Sequence, residues 1–498
     1  MSNIRLTYSG LISFLFLMIS IFTGLIFTII VTRKLEQIDF ALWSLIGGII
    51  VYSLVFAPVS NYWVGRHVAR NEKEAGTGII SSLIFSIGGV IVYIIAVFYI
   101  SEVSDSDFHI LLFAVILIPI TYLVNCFVSI SGAYKPQGNG FGMLIFEVTK
   151  IPTGFLLVYV SDMGIIGAIF TSIIANLALL TFYSLYLRKK LREPFHHYTF
   201  KNWIKLSWIP VLAGIHDKII YLDTTMFTII SGSFIGVAYV GIARSISNLV
   251  SNASSISVGL APKLLATEKS NQIELMFDRT LLFAIPMLGF VLVFGKSGLW
   301  ILNPIYIDGI FVVYIWSIIH FIYVVYGIFY SSLMGLEKID IGFNVSMSKY
   351  LKSRLFTIPL VFLIGYSSYI ITLVIIFSVS KSLEVSTLDI IFQWGMVGIL
   401  INLGILIAFW KMFKKTNQFT FPINKITKYC TLTLITGLTI NFITSEYLEY
   451  EKSIFDFIPN LIPFIILYIT IYFILLLCWE KDARILVRLV LKTLKIMK

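Results

Sequence analysis

The chain has 498 residues, 58% of them hydrophobic and 13% charged, with a formal net charge of +11 and a mean hydropathy of +0.93. A water-soluble globular chain is nearer half apolar and about a quarter charged, so too little polar surface is left here to cover a soluble body. That excludes a cytosolic enzyme, a secreted domain and a disordered protein, and leaves an all-α polytopic membrane protein.

A membrane-crossing helix needs about 20 mostly apolar residues. Runs of that kind fall, in chain order, at 8–32, 40–65, 78–100, 108–132, 141–160, 163–187, 204–230, 234–262, 276–300, 309–335, 354–379, 387–410, 426–445 and 457–479, which predicts fourteen transmembrane helices. The first run is too long for a signal-peptide core and lacks a small-residue cleavage site, so it reads as a retained span. The second and eighth runs carry polar stripes. The last residues, Lys481 to Lys498, place Arg484, Arg488, Lys492 and Lys495 on one helical stripe, as in an amphipathic basic helix lying on an anionic membrane surface.

The basic residues divide sharply between alternate loops. With the N-terminus inside and residues at span ends counted with the adjoining loop, 29 of the 37 Lys and Arg fall on the inside, five on the outside and three deeper within spans. The positive-inside rule then puts both termini in the cytoplasm and the chain in the cell membrane. The charge of +11 therefore records orientation, and gives no reason to expect a nucleic-acid partner. Outside loops reach only about a dozen residues, short for a catalytic ectodomain. No P-loop, HExxH or GxSxG pattern is present, and Asp105-Ser-Asp107 lies in a short outside loop, so neither an enzyme nor a cofactor is expected. Cys126, Cys430 and Cys478 lie far apart inside apolar runs, without the spacing of a metal site or a disulfide framework.

A shift of 196 residues lays the second span on the eighth. Phe40-Ala-Leu-Trp43 falls on Gly236-Val-Ala-Tyr239, and Glu72-Lys73 falls on Glu268-Lys269 without a gap. A six-span offset between blocks of the same orientation predicts two six-helix lobes related by a pseudo-two-fold axis along the membrane normal. The expected divisions are an N-lobe over 1–200, a C-lobe over 201–423, two added helices over 424–480 and the basic tail over 481–498.

This six-plus-six-plus-two plan resembles the polysaccharide and lipid-linked oligosaccharide flippases, including O-antigen flippases, of the multidrug/oligosaccharidyl-lipid/polysaccharide exporter superfamily. The passage from Asp223 through Gly236-Val-Ala-Tyr239 to Arg244 is similar to that family's acid in the outer half of the seventh span and its glycine–tyrosine turn opening the eighth. The resemblance implies a MATE-like two-lobe fold and alternating access. The partners it implies are a lipid-linked oligosaccharide, membrane lipid, a coupling H+ or Na+, and glycan-assembly proteins.

Ionisable side chains inside a span cost several kcal/mol and tend to mark a pathway. Away from the span ends there are six: Glu147, Lys150, Asp217, Lys218, Asp223 and Arg244, with His216 beside them. Glu147 and Lys150 stand three apart, as in either a self-neutralising pair or a gating group. Lys218 and Tyr221 belong to one polar stripe of the seventh span, and Arg244, Asn248 and Asn252 to one stripe of the eighth. Two such faces could line a wet cavity, or could be small-residue helix contacts with Lys218 or Arg244 bridging to Asp217 or Asp223. As a cavity they suit a phosphate, through the forked guanidinium, and sugar hydroxyls, through amides and tyrosine. Arg66, with Asn61 above it, is expected either to meet the phosphate first at the cytoplasmic exit or to serve as an ordinary positive-inside anchor. His216, seven residues before Asp223, is a candidate for proton coupling together with Asp217, Asp223, Glu147 and Lys150.

The expected function is translocation of an isoprenoid-(pyro)phosphate-linked oligosaccharide from the inner to the outer leaflet. The alternatives are a cation-coupled multidrug exporter of the same superfamily and an integral-membrane glycosyltransferase or polymerase. Against the first stands the absence of any ionisable residue between Tyr8 and Arg33; against the second, the short loops.

Overall fold

The computed structural model describes residues 37–498 except 105–107, 232–234, 268–270, 342–346, 416–418, 420, 452, 481–482 and 485–498, together with residues 16, 20, 23, 24, 26, 27, 30, 31, 34 and 35. Among these residues all regular structure is helical, and eleven helices are long and apolar enough to cross a membrane. They correspond to the second to sixth and ninth to fourteenth predicted runs. The first run, 8–32, and the basic tail lie almost wholly outside the described residues.

The seventh and eighth runs form helices too, but broken ones. The seventh is split at Tyr221 into Trp208–Ile220 and Leu222–Ser231. The eighth runs as Ile235–Ser251, a 3-10 turn Asn252–Ser257 and Leu260–Thr267. The composition of the eighth accounts for its break. Ser251, Ser255 and Ser257 each donate to the carbonyl three residues back, at 2.9, 2.7 and 2.9 Å, competing with the α-helical ladder and favouring the tighter winding.

Prolines place the other irregularities. The second span is Gln37–Ser53, a 3-10 turn Leu54–Phe56 and Ala57–Ala69; the fourth is Phe108–Phe113, a 3-10 turn Ala114–Ile116 and Leu117–Tyr134. Pro58 and Pro119 each crowd the carbonyl four residues back, inside those turns. The fifth span, Gln137–Gly154, widens into a π-helix, Phe155–Val160, just past Pro152. Carbonyls freed in this way find hydroxyl partners, as a bilayer interior requires. Tyr122 donates to Ser53 O at 2.9 Å and Tyr93 to Leu111 O at 2.8 Å. In the ninth span Pro286 cannot bond Leu282 O, and Tyr472 donates to it instead at 3.2 Å.

The chain forms two compact units, 1–215 with 258–269 and 334–359, and 216–257 with 270–333 and 360–498. These boundaries depart from the expected division at residue 200, because the basic ends of the eighth, tenth and eleventh spans pack with the first block. The first unit is built around Ile46, Tyr93, Val97, Tyr122, Ile165 and Ile169 from the second, third, fourth and sixth spans. Within it the end of the eighth span, Leu260–Thr267, touches Ala57–Ala69 of the second.

In the second unit the ninth span packs against the eighth, thirteenth and fourteenth. Gly289 permits the closest approach: a Cβ there would stand 2.2 Å from Thr433 Cγ2 and 2.8 Å from the Tyr468 hydroxyl. The last two helices, Ile423–Tyr447 and Ile454–Trp479, therefore belong to this unit and are not a separate body. Large apolar side chains such as Ile95 and Leu438 stay 64% and 70% exposed, a pattern suited to hydrocarbon and unsuited to water.

Candidate functional site

Asp223 and Arg244 lie in the second unit, on the seventh and eighth spans, and form an ion pair there. Asp223 opens the helix Leu222–Ser231, where the helix dipole favours an acid, and its Oδ1 accepts from Thr224 N–H at 2.7 Å. Its Oδ2 accepts from Arg244 and, at 3.0 Å, from the hydroxyl of Tyr369. The Tyr369 oxygen in turn accepts from the Trp394 indole N–H at 2.7 Å. The Arg244 guanidinium stands 6.0 Å from the ring centres of both Trp316 and Trp394, at the limit of a cation–π contact. Phe227 stacks on Trp394 from the other side at 5.4 Å.

This arrangement is asymmetric. The Asp223 side chain is fully buried and held on both oxygens, whereas the Arg244 side chain keeps 22% of its surface exposed. Guanidinium has five N–H donors in a fixed fork, and the carboxylate engages only one side of it. A cation is thus fixed in orientation, flanked by indole faces, and still able to donate to an anionic group. His320 on the tenth span is half-buried, and its Nδ1 has no hydrogen-bond partner among the described residues.

The expected neighbours are partly brought together. Lys218 is half-buried and Tyr221 59% exposed, at the break of the seventh span. Asn248 is exposed and Asn252 half-buried on the eighth. Arg244 and Asn248 lie one turn apart on the unbroken helix Ile235–Ser251, Asn252 falls in the 3-10 turn beyond it, and Lys218 and Tyr221 lie at the break of the seventh span. The side chains of His216 and Asp217 lie outside the described residues, though their backbone is helical.

In the first unit Arg66 is not presented to a phosphate. It is 5% exposed and donates to Asp340 Oδ2 and Oδ1 at 2.7 and 2.9 Å, and to the carbonyls of Met334 and Glu337 at 2.8 Å each. Asn61, one turn earlier, is half-buried and accepts from Ser60 at 3.4 Å. Glu147 and Lys150 do not join in an ion pair among the described residues. Glu147 is 3% exposed and accepts from Ser20 at 3.3 Å, its Oε2 having no hydrogen-bond partner. Lys150 lies over the rings of Phe27 and Phe146, at 4.4 and 5.3 Å.

Sequence reasoning missed Tyr369, Trp316 and Trp394, which sit in long apolar runs. The available signal was chemical: a mid-span Tyr or Trp carries a polar atom that must find a partner. Asp340 and Arg70 were missed as well, though an acid in a short basic loop asks for the same attention.

No family model and no curated protein matches the chain. Solved structures share its fold. A mutant of the Vibrio cholerae MATE transporter VcmN superposes with a TM-score of 0.64 at 13% identity, over 83% of this chain and 96% of that one. An outward-facing multidrug resistance MATE transporter of the MOP superfamily gives 0.61 at 13% identity, over 82% and 96%. A MOP superfamily transporter from Pyrococcus furiosus, described as having a binding pocket of reversed polarity that suggests a different function, gives 0.62 at 12%, over 83% and 96%. The chain therefore has a MATE-like transporter fold.

Proposed function

We propose that the protein is an alternating-access membrane transporter that carries an amphiphile with an anionic group, with Arg244 as its principal contact. The observation that carries this reading is the half-open guanidinium, oriented by buried Asp223 and flanked by Trp316 and Trp394. Lys218, Tyr221, Asn248 and Asn252 supply further donors and acceptors on the same two spans. The cargo suited to this set is an isoprenoid-(pyro)phosphate-linked oligosaccharide, its phosphate on Arg244, its sugars on amides and hydroxyls, and its tail left in the bilayer. The fold neighbours leave about a sixth of the chain uncovered.

A cation-coupled multidrug exporter is the second reading, and the solved proteins of this fold support it more directly than they support the first. Buried Glu147, with one carboxylate oxygen unpartnered, is the acid such coupling would use. The two readings part in a deletion strain. Accumulation of lipid-linked glycan inside the cell and loss of surface glycan support the flippase; unchanged glycan with new sensitivity to cationic drugs supports the exporter. If neither changes on deletion, and purified protein in liposomes moves neither class of compound, the transport reading fails.

A further inference from the structure

One carboxylate in the first unit is held by two arginines. Arg66 and Arg70 stand one helical turn apart at the basic end of the second span. Both reach Asp340, in the loop between the tenth and eleventh spans. Arg66 donates to Oδ2 and Oδ1 at 2.7 and 2.9 Å, and Arg70 to the same oxygens at 2.8 and 2.7 Å, giving two bidentate forks on one acid. The three side chains keep only 6%, 8% and 2% of their surface. Glu337 O accepts from both arginines, at 2.8 and 3.3 Å. The Glu337 carboxylate braces the loop, accepting from Lys338, Ile339 and Arg354 N–H at 2.9, 3.1 and 2.8 Å. Beside the clamp, Gly335 lies so close to the end of the eighth span that a Cβ would stand 2.9 Å from Leu264 Cβ and 3.0 Å from Ala261 Cα.

The partners come from opposite halves of the internal repeat: the arginines from the first six-span block, Asp340 and the tight Gly335 contact from the second. We propose that the Arg66–Asp340–Arg70 cluster is a charge latch that holds the basic end of the transport pathway shut and must part for that end to open. Two cations on one buried acid leave an uncompensated positive charge out of water. Closed, the cluster is held by charge-assisted forks; parted, all three groups regain hydration. Intermediate separations lose the forks without gaining water, so the cluster favours two discrete states over a gradual loosening.

The latch rests on the proposed transport function for its purpose but not for its readout, which needs no cargo. In protein with Cys126, Cys430 and Cys478 replaced by serine, Leu264→Cys reports on the buried contact, since Leu264 is 0% exposed. A polar maleimide is applied from the basic side of membrane vesicles. Asp340→Asn is expected to raise the labelling rate at least ten-fold, and the reciprocal exchange Arg70→Asp with Asp340→Arg to bring it back towards the starting rate. Arg70→Lys, which keeps the charge and loses one fork, is expected to raise it several-fold and serves where Asp340→Asn fails to fold by size exclusion. Unchanged labelling in the folded variants overturns the latch, as does an equal rise in Lys338→Gln, which alters no clamp charge. Loss of transport with unchanged labelling would overturn the latch and leave the transport reading standing; raised labelling in a protein that moves no substrate would do the reverse.

Discussion

Arg244 and Asp223 show what one buried pair can and cannot do. Asp223 is fully buried, so removing Arg244 outright would strand an acid in the membrane interior; breaking such a pair typically costs about 3–5 kcal/mol. Arg244→Ala is therefore expected to lose folded protein, and says little about transport. Arg244→Lys is the informative change, because it keeps the charge and loses the fork. A hydrogen bond to a charged group contributes about 1.5–3 kcal/mol, so transport of an anionic cargo should fall roughly ten- to hundred-fold with expression retained. Transport assays on matched amounts of membrane protein check this. Asp340 makes a prediction of opposite character. Burial alone would push its carboxyl up, but Arg66 and Arg70 overcome that and hold it well below the usual carboxylate range. With the folded value depressed, its stabilising contribution is fully present above the ordinary aspartate value of about 3.9 and is lost only as pH falls through the folded value. Leu264→Cys labelling, measured relative to a fully exposed cysteine at each pH because the reactive thiolate fraction itself rises with pH, should accordingly not change between about pH 5 and 8.

At the scale of elements, breaks in helices do as much as helices. The eighth span holds Arg244 on one straight piece and then winds tighter where Ser251, Ser255 and Ser257 turn back on their own carbonyls. In the ninth span, the break that Pro286 makes in the ladder is covered by Tyr472 from the fourteenth, and Gly289 admits Thr433 of the thirteenth. Gly289→Val would drive methyl groups into Thr433 and Tyr468. Overpacking of this kind costs about 1–3 kcal/mol or more, and should lower the thermal midpoint in detergent and speed proteolysis of the 446–453 loop. A Gly289→Val protein as stable as the parent would mean that the three helices are not packed together in this way.

At the scale of the molecule, the last two spans are integral to the second unit. Asp278 of the ninth span accepts from Lys425 at 2.9 Å and from Tyr429 at 2.9 Å, both on the thirteenth. Truncation before residue 423 would leave that acid unpaired and open the Gly289 face. The truncated chain is expected to be degraded, and not to persist as a twelve-helix transporter; immunoblots of membranes decide. Orientation is testable at the same scale. Ser386→Cys, in the loop between the eleventh and twelfth spans, should be labelled from outside the cell, and Lys415→Cys, after the twelfth, only from inside.

Span positions and helix class were legible in the residues, because each rests on quantities that add along the chain: apolar length and periodicity. The bilayer imposes them on every segment separately. Arg244 was legible as a candidate for the same reason, since a cation in a span is conspicuous by itself. Its surroundings were not. Tyr369, Trp316 and Trp394 are ordinary members of apolar runs until folding brings them round Asp223, 146 residues away from Tyr369. The seventh and eighth spans are broken where straight helices were expected, at Tyr221 and over Asn252–Ser257, the latter where serine hydroxyls turn back on their own carbonyls. Arg66 is expected from sequence either to meet a phosphate or to serve as a positive-inside anchor, and its partner in the fold, Asp340, lies 274 residues on. The composition, 58% hydrophobic and 13% charged, determined that the chain is a multi-pass membrane protein. Which charges face one another was decided only by tertiary structure, because pairing depends on distances between helices that no single segment encodes.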